Sequence, residues 1–220
     1  MVKVEQYILP PTSLIPNSPY PLVHYQGLLS REAQKSPNEA ATTCHELFEK
    51  NGWAAQWIFR YGPTQASHYH SAVHECMTVL TGSARIRFGV ADTVDDLEES
   101  TYGAGKERGG IEIEAEAGDV FIIPAGVSHK TFDTKPEAEF KLLTPGQWRA
   151  VEAQDKHNTL ARLEFGGFTM MGAYPIGGRD WDFAKGGDHV GQFEKVWETD
   201  KPAKDPVLGE AEAGIVGTWR

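Results

Sequence analysis

Cysteine is almost missing from this chain. Only Cys44 and Cys76 occur, far apart and outside any C-x-x-C arrangement, so a reduced, cytoplasmic protein is expected. Basic residues are also scarce: 21 lysines and arginines stand against 31 aspartates and glutamates, for a net charge of -10. No basic stripe marks a nucleic-acid footprint, and the field of the chain repels phosphates. No apolar run is long enough to span a membrane. Met1 to Tyr7 contain no signal-peptide core, and Gly217 to Arg220 form no retention or peroxisomal address. No internal repeat is visible. The expected partner is therefore a small molecule, with neither nucleic acid nor membrane.

What is present suits a packed globule. The 220 residues are 40% hydrophobic, which fits one domain with a sizeable core, and all-β domains commonly reach this length. Two stretches organise the chain. The first, Gly62 to Gly82, holds His68 and His70 two positions apart, and alternate residues of a strand face the same side. Glu75 follows after room for a turn or bulge. The second, Gly118 to His129, is an apolar strand, a Pro124-Ala125-Gly126 turn and then His129. Three imidazoles and a carboxylate make a first shell for a divalent transition metal.

The pattern G-x5-H-x-H-x4-E-x6-G resembles the first cupin motif, and G-x5-P-x-G-x2-H resembles the second. His68, His70, Glu75, Gly82, Gly118, Pro124, Gly126 and His129 fill the metal-binding positions. Asp133 stands where an asparagine, not a ligand, often ends the second motif. The longer strings S-H-Y-H-S-x-x-H-E and A-G-D-V-x-x-I-P-A-G-V-x-H, together with G-A-Y-P and D-P-V-x-G, resemble the YjlB-like single-domain cupins. That resemblance implies an all-β jelly-roll barrel with a few peripheral helices. It also implies one divalent transition metal per chain, iron, manganese, nickel or zinc, held by His68, His70, Glu75 and His129. The expected layout is an N-terminal arm and helix over 1–52 and a barrel over 53–178 with an insertion near 134–165. A tail over 179–220 packs on the barrel or on a partner.

Along the chain, Val2 to Ile8 reads as a short strand, followed by a proline-rich arm. Leu14, Ile15, Leu22, Val23 and Tyr25 in this arm need burial, and a homodimer with a two-fold interface through the arm is expected. Ser36 caps a helix with Pro37 at its first position and Glu39 completing a capping box. Ala40, Ala41, Cys44, Leu47 and Phe48 recur at helical spacing until Asn51-Gly52. Strands are expected over Trp53 to Tyr61, Glu75 to Leu80, Ala84 to Phe88, Ile111 to Ala115, Val120 to Ile123, from His129, and over Phe168 to Tyr174. Arg85 and Arg87 read as a solvated face, or as carboxylate clamps in the pocket. Ala91 to Gly110 reads as a solvated hairpin loop. The insertion joins a strand-like Phe140 to Leu143 to a short helix after Pro145. His45, His157 and His189 read as packed or surface residues. His74 neighbours Glu75 and belongs behind the ligands or on the opposite face, unless the strand is bulged.

Four protein ligands leave one or two positions open on an ion that prefers five or six neighbours. An oxygen-dependent, dioxygenase-type oxidoreductase is the favoured chemistry, with Trp57, Phe59 and Tyr69 as candidates to line an apolar pocket. Glu75 would also serve catalysis, accepting a substrate proton on its free oxygen. The alternatives are an oxygen-independent isomerase, decarboxylase or lyase using a Lewis-acid ion, and a non-catalytic ligand-binding cupin.

Overall fold

The structure is a computed structural model and describes residues 3–220. Val2, expected at the start of the first strand, lies outside the described residues. The strands are β1 (Lys3–Tyr7), β2 (Leu22–Gln26), β3 (Trp53–Arg60), β4 (Glu75–Thr81), β5 (Ser83–Phe88), β6 (Ile111–Glu116), β7 (Val120–Ile123), β8 (His129–Lys135), β9 (Lys141–Leu142) and β10 (Thr169–Pro175). They pair antiparallel in two sheets. One runs β1-β2-β7-β4-β10-β3-β9 and the other β6-β5-β8. The two pack face to face as a jelly roll, as the motifs imply. Ala84, Ile86 and Phe88 of the small sheet meet Met77, Val79, Phe121 and Met170 of the large one.

The large sheet is buried on both faces, which explains its nearly continuous apolar strands. In β4 the side-chain alternation sends Met77 and Val79 inward with Glu75, while Cys76 and Leu80 face outward. The outward residues are covered by α2 (Pro37–Lys50), which follows α1 (Ser30–Lys35) directly. Ala40, Ala41, Cys44 and Phe48 form the covering face of α2. Ser36 caps α2 through the Asn38 amide at 3.1 Å, with Pro37 at the first position. The capping box does not form. Helix α1 already takes the Ser36 amide, which donates to the Glu32 carbonyl at 3.0 Å, and Glu39 turns to Lys35 at 2.6 Å.

The acidic segment after β5 corrects the expected solvated loop. It contains α3 (Leu97–Tyr102), capped by Asp96, whose side chain accepts from the Glu99 amide at 2.9 Å. The helix folds back over the outer face of the small sheet. Arg87 is buried there and donates to the Ser100 and Thr101 carbonyls at 3.0 and 2.7 Å, satisfying the end of α3. Arg85 stays in solvent. Neither arginine lines the cavity. In the insertion, β9 pairs with β3, and the helix lies later than expected, as α4 (Lys156–Leu160).

The proline-rich segment is packed down within its own chain. Ile15, Leu22, Val23 and Tyr25 are fully buried, and β2 sits inside the sheet rather than over it. These four residues are thus buried within the chain itself, while Leu14 stays half-buried. The C-terminal segment carries α5 (Phe193–Trp197) and α6 (Ile215–Thr218) and is tied to β2 through Asp205. That buried carboxylate accepts from the Tyr25 hydroxyl and from the amides of Val207, Leu208 and Ile215 at 2.9, 2.8 and 3.1 Å. Asp205→Ala strands these donors and is expected to cost about 3 kcal/mol in urea denaturation. Arg85→Ala is expected to stay within about 0.5 kcal/mol. Equal losses would contradict this division between anchor and surface.

Candidate metal centre

The two motif segments are stitched by backbone. His68 and His129 exchange hydrogen bonds, His68 N to His129 O at 3.2 Å and His129 N to His68 O at 2.8 Å. The Gly126 amide donates to the His70 carbonyl at 2.8 Å. Gly126 has φ of 90°, and a Cβ there would lie 2.3 Å from the Asn17 carbonyl oxygen. Only glycine turns the chain at that point without displacing the arm.

This frame brings His68, His70 and His129 together. One ring nitrogen from each lies within 4.8 Å of the others, and all three residues are buried. Tyr69, between the first two, faces away, bonds His189 at 2.7 Å and packs with Ile15 and Ala184. It does not line the cavity, which corrects the expectation for that residue. Glu75 enters from β4. Its Oε1 lies 3.3 Å from His70 Nε2 and its Oε2 3.4 Å from His129 Nε2.

Second-layer contacts set the ring orientation. Nδ1 of His68 lies 3.2 Å from the Ala66 carbonyl, and Nδ1 of His129 lies 3.4 Å from that of Val127. His70 Nδ1 meets the Asp182 carbonyl. A carbonyl only accepts, so each Nδ1 carries a hydrogen, and in each ring that is neutral Nε2 presents a lone pair to the centre. Glu75 Oε1 accepts from the Tyr174 hydroxyl, itself 3.2 Å from Trp57 Nε1. Glu75 Oε2 is buried and has no hydrogen-bond partner. Lone pairs thus converge without enough hydrogens between them, and a divalent cation fits this donor set.

Burial and neighbouring charge shift the titrations. Burial holds His68 well below its ordinary 6.5, with His129 and His70 adding to the effect. It brings His129 to about 4 despite Glu75. Burial also depresses His70, but Glu75 more than offsets it and the pKa is raised. Burial would raise Glu75, yet His70, His129 and Tyr174 outweigh it and leave the carboxyl at about 2.

His74 does not join the cluster. Its ring lies on the other face, 4.7 Å from that of Trp219, and its Nδ1 accepts from the Ala125 amide at 2.9 Å. His45 is packed in α2, and His157 is exposed beside Glu46 at 3.2 Å.

The cluster floors a cavity of about 150 Å³. Trp57 and Phe59 line it as expected. Tyr61, Phe140, Trp148, Tyr174, Trp181 and Phe183 complete an aromatic wall, with Met77 and Gln65. Several of these come from the insertion and the tail, where no periodicity marks them. Tyr61 and Tyr174 fall in expected strands and Phe140 in the strand-like part of the insertion, but nothing in the sequence assigns them to the cavity. Gly172 makes room for this wall, since a Cβ there would fall 2.1 Å from the Trp57 indole.

YjlB of Bacillus subtilis, described as an uncharacterized protein, is 26% identical over 216 residues, covering 96% of this chain and 93% of YjlB. The chain resembles the YjlB-like cupins over nearly its whole length. No protein-family model matches it. Among solved structures, the QdtA 3,4-ketoisomerase of Thermoanaerobacterium thermosaccharolyticum overlays with a TM-score of 0.28 at 16% identity, over 54% of this chain and 56% of that one. Bacillus subtilis oxalate decarboxylase, with Mn(II) centres, gives 0.29 at 12% identity, over 58% of this chain and 24% of that one. A Solanum melongena vicilin gives 0.31 at 14%, over 58% and 25%. TM-scores this low speak to neither ligand nor reaction. No helix among the described residues is long and apolar enough to cross a membrane.

In metal-free protein, the imidazole nitrogens of His68 and His129 should report the Nδ1–H tautomer by NMR. Both rings should stay neutral well below the ordinary 6.5. Unfolding frees them to protonate near 6.5, so their contribution to metal-free stability should fall as pH drops from 6.5 toward 4, opposed by His70, whose pKa is raised. Nε2–H tautomers, or rings titrating near 6.5, would contradict the assignment.

Proposed function

We propose that the protein is an enzyme acting on a small organic molecule at a divalent transition metal held by His68, His70, Glu75 and His129. The observation that carries this reading is the meeting of bare Nε2 atoms and the unpartnered Glu75 Oε2 on the floor of an aromatic cavity. A stabilising core does not need such an arrangement, because buried lone pairs facing one another cost free energy.

Bound there, the ion would supply a Lewis-acidic centre and, if redox-active, reactivity toward dioxygen. The chain supplies the rest. Trp57, Phe59, Trp181 and Phe183 would give the reacting centre an apolar wall. The Asp182, Ala66 and Val127 carbonyls keep the rings aimed inward. The Tyr174 hydroxyl holds Glu75 Oε1 and leaves Oε2 as the ligating oxygen. A substrate proton received on Oε1 would have to displace that Tyr174 bond, which makes Glu75 and Tyr174 one proton-handling unit.

Oxygen-dependent, dioxygenase-type chemistry suits this cavity best. Apart from the four ligands, its lining contains no histidine, carboxylate or lysine to act as an independent acid or base. The Tyr174–Glu75 hydrogen bond favours a second reading, an oxygen-independent isomerase or lyase that moves a proton through that pair.

Protein purified without chelator should carry on the order of one transition-metal ion per chain. His129→Ala should lose it and His74→Ala should keep it, read by elemental analysis. Full occupancy in His129→Ala would sink the ligand assignment. Glu75→Gln should weaken binding and lower turnover. Nitric oxide added anaerobically to the iron(II)-loaded protein should give a new paramagnetic resonance signal if a position is open. No signal, or equal turnover without oxygen, would select the second reading.

A further inference from the structure

The cavity itself restricts what it can hold. Its volume is about 150 Å³, close to that of an engineered protein cavity that takes up benzene. The wall is built from rings. Trp181 stacks on Tyr174 with centroids 5.9 Å apart and planes 17° apart. Phe183 lies flat on His68 at 3.9 Å. At the rim Phe140 stacks on Phe59 at 4.9 Å.

Charge is the second restriction. No lysine, arginine or aspartate lines the cavity, and Gln65 is the one amide. Arg149 lies over Trp181 at 4.1 Å and spends a guanidinium nitrogen on the Trp181 carbonyl. A sugar would strand its hydroxyls against aromatic carbon, and a dicarboxylate would strand a charge. A ligand that fits carries one ring and places its ionisable oxygen at the histidine cluster.

We infer that the substrate class is a single-ring phenol, with the ring between the aromatic walls and the oxygen toward His68, His70 and His129. This rests on the metal reading only for the oxygen; the preference for a ring rests on the wall. Aromatic faces favour a flat π system over a saturated ring of similar size, beyond the area buried.

Phenol, cyclohexanol and 2-naphthol, titrated calorimetrically into metal-free and cobalt(II)-loaded protein, separate the two. Phenol should bind roughly tenfold more tightly than cyclohexanol in both forms, and metal should tighten phenol further. 2-Naphthol should be excluded from the native protein and admitted by Phe140→Ala, which opens the exposed rim. Cobalt(II) binding with equal affinity for phenol and cyclohexanol would overturn the substrate class while leaving the metal centre standing. A ring preference with no metal enhancement would keep the class but overturn its orientation and the metal reading. Native protein that takes 2-naphthol as readily as phenol, or Phe140→Ala that still excludes it, would overturn the single-ring limit set at this rim.

Discussion

Everything at the centre depends on the reciprocal backbone bonds between His68 and His129. These residues stand on segments far apart in sequence: His129 opens β8, while His68 lies in an irregular segment that meets it through an isolated bridge. The pair of bonds fixes both backbones in an extended conformation, so both rings project to one side. Gly126 then locks the second segment to His70 through its amide. Side-chain convergence is a consequence of backbone pairing, which is more rigid than contacts between long side chains alone could be.

Around that clamp the protein arranges neutral hydrogen-bond partners rather than charges. Backbone carbonyls take the outer hydrogens of the imidazoles, and Tyr174 takes the outer oxygen of Glu75. Each contact orients a side chain toward the centre without neutralising its inner donor atom. The large sheet sustains this polar cluster because both its faces are covered, by α2 and the tail outside and by the small sheet inside. Gly172 on β10 lets the Trp57 indole reach Tyr174, so the support of Glu75 is traceable to a missing side chain.

Much of this was legible before the structure. The motif spacing identifies His68, His70, Glu75 and His129, and strand alternation places His74 away from them. Alternation places Arg87 correctly on the outer face of its sheet, but that face is covered by α3 instead of lying in solvent. The helix that covers it comes from an acidic stretch too short for helical periodicity to register. Tyr69 was misplaced for a related reason: its neighbours His68 and His70 face the cavity, but the same alternation that unites them turns it outward. The aromatic wall was least legible, because Phe140, Trp148, Trp181 and Phe183 sit in irregular segments whose positions are set by long-range packing. The capping box at Ser36 was lost to α1, which had already claimed the amide.

X-ray absorption at the metal edge of the protein as purified tests the central claim most directly. The account predicts a light-atom shell of nitrogen and oxygen at about 2.0–2.2 Å, with outer-shell scattering from imidazole rings that disappears in part when His70 is replaced by alanine. A shell containing sulfur, or one without imidazole scattering, would contradict it.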